Sequence, residues 1–337
     1  MTDFTRRGAM GLLGGAATLP YLATPALADS KLTVGALRFT SHAASFVAFE
    51  QGYFTDEGLD VEFKFFQAAQ PMAVAIASGD ADFGVTAISG GLISLAEKGA
   101  AKVIGGALSE EKGIDGQMIL ASNAAHDAGL TSPAALDGRS FAVTQPGSSF
   151  HYMGSKIAAA EGAEVSFKPL QKVGAIIGAM KSGQVDAWSI VPHIAKALAG
   201  GGAVKPIGMV ADYLPNYQVT TVFTSAENAA NERAKTESFL RAFSRGAADF
   251  NAALVDKTAG DEAAEEMVKL IHKYVYTDRP YEKAAPSIRN GAMRINANAA
   301  LNMASVEDQI GWFRSEGLIK DSITAETLVD PSYVEMM

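Results

Sequence analysis

The sequence contains no cysteine among its 337 residues. Disulfide bonds, cysteine nucleophiles and the thiolate ligands of zinc fingers and iron–sulfur clusters are therefore excluded. Histidine would be the next metal ligand to consider, but the five histidines are dispersed and no two of them stand at helical spacing. We therefore expect neither a metal site nor a cofactor.

Positive charge is also scarce, since 28 Lys and Arg residues stand against 37 Asp and Glu residues, for a net charge of −9. Nucleic acids and anionic membrane surfaces attract basic proteins, so we expect neither as a partner. Beyond the N-terminal segment, no apolar run is long enough to span a bilayer. The hydrophobic content of 48% is ordinary for a soluble globular protein, and the length predicts roughly two domains.

Familiar catalytic motifs are missing as well. The sequence has no G-x-x-x-x-G-K-[ST] phosphate loop, no G-x-S-x-G nucleophile elbow, no H-E-x-x-H zinc motif and no EF-hand loop. A catalytic triad needs no fixed spacing, but no residue pattern favours one. The sequence therefore indicates a protein that is not an enzyme.

The N-terminus carries the pattern of an export signal. Arg6 and Arg7 precede an uncharged stretch rich in Gly, Ala and Leu that ends in Ala26-Leu27-Ala28. A basic start, an apolar middle and a small-x-small site are typical of a secretory signal peptide. The paired arginines favour the twin-arginine route, with a Sec signal or a retained anchor as alternatives. We predict that residues 1–28 are removed after Ala28 and that the protein is periplasmic.

One short sequence motif occurs twice. Residues 77–86 read ASGDADFGVT and residues 181–190 read KSGQVDAWSI, each with Ser-Gly, then Asp, then an apolar run. The same order of predicted strands and helices surrounds both copies. Alternating strands and helices are typical of a largely parallel sheet with helices on both faces. The sequence therefore predicts an α/β protein with two similar lobes, each a mostly parallel sheet flanked by helices.

The lobe boundaries follow from two strand-like runs between the copies, at 117–122 and 218–225, on which the chain is expected to cross and return. We expect lobe I to comprise residues 29–118 and 222–337, and lobe II residues 119–221.

Polar residues gather where the first strand of each copy ends. One turn, at 38–42, reads RFTSH, and the other, at 145–151, reads QPGSSFH. In open α/β sheets ligands bind beyond the carboxyl ends of the strands. Each turn offers hydroxyls and free backbone N–H groups at a helix start, which suits a carboxylate, sulfonate or phosphate. The hydroxyls of one such turn could serve only to cap its own helix, but two matching turns facing one cleft favour ligand contact.

Twelve residues are candidate ligand contacts on this reasoning. They are Arg38, Thr40, Ser41, His42, Gln67, Thr86, Gln117, Ser148, Ser149, His151, Trp188 and His193. Arg38 is a candidate anion partner, with a salt bridge to a carboxylate as the alternative. Trp188 is a candidate aromatic wall, because the matching residue of the first copy is Gly84 and the core there needs no bulk; a buried core residue is the alternative. The matched Asp82 and Asp186 are interpreted as structural residues at strand starts.

Three longer stretches resemble a known family. FEQGYFTDEGLDVEF (49–63), IASGDADFGV (76–85) and GSSFHYMGSKIAAAEGA (147–163) are similar to the SsuA/TauA-like solute-binding proteins of ABC importers for sulfonates, taurine, nitrate and thiamine-pyrimidine precursors. The resemblance implies a type II-like, two-lobe periplasmic binding protein with a two-strand hinge. A small-molecule solute would bind between the lobes, and the closed form would be presented to an ABC permease with its ATPase. The family's contacts carry over to Thr40 to His42, Gln67, Thr86, Ser148, Ser149 and His151, whereas the family varies at Trp188 and His193.

We therefore expect a monomeric, non-enzymatic receptor for a small anionic organic solute, with an aromatic carboxylate or sulfonate favoured. A pyrimidine thiamine precursor or another heterocycle is the alternative solute. An enzyme similar to the pyrimidine synthases related to this family is a further alternative, which the export signal and the absence of cysteine disfavour. A sensor subunit that signals rather than transports is the third.

Overall fold

Two five-stranded sheets organise the chain in the computed structural model, which describes residues 31–333 and 335–337. The predicted signal peptide, residues 1–28, lies outside the described residues. In spatial order the first sheet contains β2 (Val61–Phe65), β1 (Leu32–Ala36), β3 (Phe83–Thr86), β10 (Thr221–Ser225) and β4 (Ala101–Gly106). The second sheet contains β7 (Ser166–Pro169), β6 (Ser140–Val143), β8 (Ala187–Ile190), β5 (Met118–Ser122) and β9 (Val204–Met209).

Helices cover both sheets and fill most of the C-terminal part of the chain. They are α1 (Ala43–Glu50), α2 (Tyr53–Asp56), α3 (Ala69–Ala77), α4 (Gly90–Glu97), α5 (Asn123–Asp127), α6 (Ser149–Glu161), α7 (Val173–Ser182), α8 (Pro192–Gly200), α9 (Ala226–Asn231), α10 (Arg233–Phe250), α11 (Gly260–His272), α12 (Tyr281–Arg289), α13 (Met303–Ser315) and α14 (Ala325–Leu328). Among the described residues, none of the helices is both long and apolar enough to cross a membrane.

The two sheets have the same topology. In each, the first three strands in spatial order are parallel to one another. A single antiparallel strand comes from the far side of a chain crossing: β10 lies between β3 and β4, and β5 lies between β8 and β9. The predicted fold class, two lobes that each hold a mostly parallel sheet with flanking helices, is confirmed.

The two lobes are joined by the segments 107–117 and 210–220, which pair with each other. The Ala107 N–H donates to the Thr220 carbonyl at 3.0 Å, and the Val219 N–H donates to the Leu108 carbonyl at 2.8 Å. This pairing is the two-strand hinge that the resemblance implied.

The repeated phrase has a local physical explanation. Gly79 and Gly183 follow α3 and α7 with φ of 80° and 72°, a left-handed conformation that glycine adopts without a steric penalty. The carboxylates of Asp82 and Asp186 then accept the backbone N–H of Thr33 and of Ser140, each at 2.8 Å. The phrase therefore ends a helix and fastens the next strand to the start of its neighbour.

The exchange of Gly84 for Trp188 is a matter of core packing. Gly84 is paired with Phe223 of β10, and a Cβ atom at Gly84 would lie 2.7 Å from the Phe223 ring. At the same place in the second sheet, Trp188 is paired with Leu120 of β5. The core of the first lobe thus does hold an aromatic ring at this level, but the ring comes from the opposite strand, so the expectation that no bulk is needed there is wrong.

The Asp82 and Asp186 contacts give a stability prediction. Replacing either residue by alanine leaves a half-buried N–H without its charged acceptor, so the free energy of unfolding should fall by about 1–3 kcal/mol. Urea denaturation monitored by circular dichroism measures the change. The exposed Asp321 offers the matched control, and Asp321→Ala should change the value by less than about 0.5 kcal/mol. Equal stabilities of all three variants would contradict the assigned role.

Candidate functional site

A cavity lies between the two sheets, beyond the carboxyl ends of the parallel strands, and encloses about 580 Å³ of atom-free space that is partly continuous with solvent. The turns that follow β1, β2, β3, β6 and β8 all reach it, and the two hinge segments close one side. Its lining consists of Leu37, Phe39, Ser41, His42, Ala68, Ala69, Thr86, Ala87, Gln117, Thr144, Ser148, Ser149, Phe150, Val173, Ile190, Val191, Val219 and Thr220.

The lining contains no charged side chain at neutral pH. Ten of the eighteen residues are apolar, and the polar ones are hydroxyl residues, one glutamine and one histidine. Such a mixture of apolar walls and a few convergent polar groups is typical of a small-molecule site.

Six of the twelve predicted site residues line this cavity. They are Ser41, His42, Thr86, Gln117, Ser148 and Ser149. The structure thus brings the two polar turns to the same space, as their positions after matching strands of the two sheets require.

Arg38 and Gln67 lie outside the lining. The Arg38 guanidinium lies 3.8 Å above the Phe65 ring and donates to the Tyr274 carbonyl at 3.1 Å, at the protein surface. Its partners are therefore a ring and a carbonyl, and not a carboxylate. Gln67 is exposed.

Thr40 and His151 also lie outside the lining. Thr40 is fully buried, and its hydroxyl has no partner among the described residues. The Nδ1 atom of His151 accepts the Gly147 N–H at 3.1 Å, and its ring lies edge-on to Phe167 at 4.3 Å. Burial lowers the pKa of His151, against the opposing charge of Glu316. This histidine therefore holds the turn that precedes α6.

Trp188 lies behind the cavity wall. Its side chain is fully buried, and its indole ring packs edge-on against Phe150 at 5.6 Å between ring centres. Phe150 itself lines the cavity, as does Phe39 of the first lobe. Neither phenylalanine was among the predicted site residues, although each stands inside one of the two polar turns, because their hydroxyl and charged neighbours give the stronger signal of ligand contact.

His42 and His193 meet across the two lobes. The Phe39 ring lies edge-on to both, at 6.0 Å from His42 and 5.4 Å from His193. Burial lowers the pKa of each imidazole to about 3, and the charge of His42 adds to the lowering for His193. Both rings are therefore neutral at pH 7. The Nδ1 atom of His193 has no partner within the described part of the chain.

The start of α6 offers donors to the cavity. The Ser148 hydroxyl accepts the His151 N–H as the N-cap. The N–H groups of Ser149 and Phe150 come first in the helix and find no acceptor among the described residues. A helix start of this kind carries partial positive charge.

The lobes touch beside the cavity. The Gly90 N–H at the start of α4 donates to the Gly147 carbonyl at 3.0 Å, and the Gln145 amide donates to Gln70 Oε1 at 3.2 Å. Tyr152 and Lys156 of α6 both bond to Asp308 of α13. These contacts describe a closed arrangement of the two lobes. In the described ranges, no group of His, Asp and Glu is arranged to hold a metal ion.

Comparison with known proteins identifies the architecture. The family model described as NMT1/THI5 like matches residues 39–253. No curated protein sequence matches the chain significantly.

Solved structures with the same fold include ABC-importer binding proteins. The periplasmic aliphatic sulphonate binding protein SsuA from Escherichia coli has a TM-score of 0.67 at 18% identity, over 89% of this chain and 92% of that one. The periplasmic nitrate-binding protein NrtA from Synechocystis PCC 6803 has a TM-score of 0.69 at 14% identity, over 88% and 83%. The ligand binding component of an ABC-type import system from Staphylococcus aureus, with zinc bound, has a TM-score of 0.69 at 12% identity, over 90% and 97%.

The resemblance to the SsuA/TauA-like proteins is confirmed by the family match, and the predicted fold by these structures. With its two matching sheets, its paired hinge segments and the cavity between them, the chain belongs to the NMT1/THI5-like family and has the fold of a periplasmic binding protein.

Proposed function

We propose that the protein captures a small, uncharged, ring-containing organic solute between its lobes and delivers it to an ABC permease with its ATPase. The observation that supports this is the cavity lining, which combines two phenylalanine rings and neutral hydrogen-bonding groups with no charged residue. The solved structures with the same fold, which are described as sulphonate- and nitrate-binding proteins, support a role in solute binding.

Charge favours an uncharged solute over an anion. Burying an anion without a counter-charge is costly, because its hydration is lost and nothing replaces it. Arg38, the cation expected to hold an anion, lies outside the cavity, and His42 is neutral at pH 7. A neutral heterocycle such as a pyrimidine avoids this cost, and its ring can pack against Phe39 and Phe150.

A small aromatic carboxylate or sulfonate is the second candidate. The N–H groups of Ser149 and Phe150 at the start of α6 are free donors beside the cavity, and a helix start stabilises an anion without any arginine. The SsuA from Escherichia coli, which has the same fold, is described as an aliphatic sulphonate binding protein. Both solute classes fit an exported receptor, which the predicted signal peptide supports.

Matched solute pairs separate these candidates. Mature protein should be melted with benzamide and benzoate, with nicotinamide and nicotinate, and with neutral aminopyrimidines. A solute that binds only the folded state raises the melting temperature by mass action, so we expect the neutral members to raise it and the anions to have little effect. Stabilisation by the carboxylates alone would contradict a neutral solute, and no stabilisation by any small solute would contradict the proposed function.

Two variants test the site with the best solute of that screen. Phe150→Ala removes an aromatic wall and should raise the dissociation constant at least tenfold, which corresponds to a loss of about 1.4 kcal/mol in binding free energy. Arg38→Ala should change it by less than about threefold, since a surface cation 3.8 Å from Phe65 does not reach the solute. Isothermal titration calorimetry measures both. A larger loss in Arg38→Ala than in Phe150→Ala would restore Arg38 as an anion partner.

The buried histidines predict a dependence of stability on pH. Burial lowers the pKa of His193 from 6.5 to about 3, so between these values the unfolded chain binds a proton that the native chain does not. This contribution is complete above pH 6.5 and is lost as the pH falls toward 3. The urea midpoint should therefore drop less between pH 7 and pH 4.5 in His193→Asn than in the wild type. An identical drop in the two proteins would contradict the neutral, buried state.

A further inference from the structure

A buried carboxyl group lies in the hinge, beside the cavity. Glu110 belongs to the first hinge segment, is 1% exposed, and donates its backbone N–H to the Tyr217 carbonyl of the second segment at 2.9 Å. Its Oε1 atom accepts the Gln117 N–H at 3.0 Å. Its Oε2 atom occupies the space above Gly116, where a Cβ atom would lie 2.5 Å away. A side chain at position 116 would therefore displace the Glu110 carboxyl from this place.

Three polar atoms around this carboxyl have no hydrogen-bond partner among the described residues. They are Glu110 Oε2, Gln117 Nε2 and the Tyr217 hydroxyl. An unpaired buried polar group destabilises the fold, and native proteins retain few of them without a reason. We refer to Glu110, Gln117 and Tyr217 as the hinge cluster. It joins both hinge segments, and Gln117 also lines the cavity.

Within the part of the chain that the structure describes, no cation forms an ion pair with the Glu110 carboxyl. The neighbouring Glu111 pairs with Arg294, which also binds Asp256. From α6, Tyr152 packs against the Tyr217 ring at 5.2 Å and directs its own hydroxyl to Asp308. Lys112, on the same segment, lies 3.8 Å from Asp212 at the surface.

Burial therefore dominates the titration of Glu110. It raises the pKa of the carboxyl from 4.5 to about 7, although the backbone and side-chain amides of Gln117 both act to lower it. The backbone hydrogen bond to Oε1 fixes Gln117 beside the carboxyl, while Gln117 Nε2 and Glu110 Oε2 both lack a partner in this arrangement. A group with this pKa exchanges its proton close to neutral pH.

We propose that Glu110 is a positioning residue for the solute, and that the proton on its carboxyl sets which end of the Gln117 amide faces the cavity. An ionised carboxylate only accepts hydrogen bonds, so it holds Nε2 and leaves Oε1 toward the cavity. A protonated carboxyl donates to Oε1 and turns Nε2 toward the cavity. The proton moves between Glu110 and solvent, and no covalent bond is made.

The orientation of Gln117 then selects the polarity of the solute. With Glu110 protonated, the cavity presents a donor to a solute acceptor such as a ring nitrogen or a carbonyl oxygen. With Glu110 ionised, it presents an acceptor to a solute amino or ring N–H group. This consequence rests on the proposed function, because it takes the cavity as the solute site; the behaviour of the hinge cluster itself does not.

Solute-free protein provides the test. The side-chain amide signals of Gln117 are identified in a nitrogen–proton correlation spectrum by their absence in Gln117→Met, and are followed from about pH 5.5 to about pH 8.5. We expect them to shift with a midpoint near 7 in the wild type, to keep this shift in Glu111→Gln, and to lose it in the isosteric Glu110→Gln.

Two results would overturn the proposal. One is a Gln117 amide that does not move over this range in the wild type, which needs no variant to fold. The other is the same shift in Glu110→Gln as in the wild type. Since no solute is present, either result is independent of the thermal screen, and a failed screen leaves this titration readable.

Discussion

The pairing of the two hinge segments is the constraint on which the rest of the structure depends. The hydrogen bonds between Ala107 and Thr220 and between Leu108 and Val219 hold together the only covalent links between the sheets in the described chain. Because each segment continues directly into the antiparallel strand of the next sheet, the pairing fixes where β5 and β10 enter. It also places Gln117, Val219 and Thr220 in one wall of the cavity.

The fold was predictable because its signals are local. Ser-Gly followed by Asp describes a helix end and a strand start within a few residues, and Gly183 and Asp186 perform these roles in the structure. The packing of Trp188 was not predictable in this way. Trp188 is paired with Leu120 of β5, and Gly84 is paired with Phe223 of β10. These partners are distant in sequence, and only the sheet brings them together.

The candidate site likewise has residues that a local sequence pattern predicts and residues that depend on distant contacts. Hydroxyl residues at helix starts are recognisable from sequence, and Ser41, Ser148 and Ser149 do reach the cavity. The place of Arg38 depends on Tyr274, which is 236 residues away, and no local pattern reveals that contact. Glu110 looks like an ordinary acidic residue beside Glu111; only its burial against Gly116 distinguishes the two.

The two lobes fill matching places in their cores with different cross-strand pairs, Gly84 with Phe223 and Trp188 with Leu120. This difference has a consequence for comparing the sequences of duplicated lobes. Neither half of the exchange is tolerable alone, since a tryptophan at position 84 would collide with Phe223, and a glycine at position 188 would leave a hole beside Leu120. Substitutions at such positions are coupled. An alignment that compares the lobes one residue at a time would therefore interpret Trp188 as a new functional residue, although it compensates for a smaller side chain on the neighbouring strand. What the two lobes have in common here is one aromatic ring in each cross-strand pair, supplied by β10 in the first lobe and by β8 in the second.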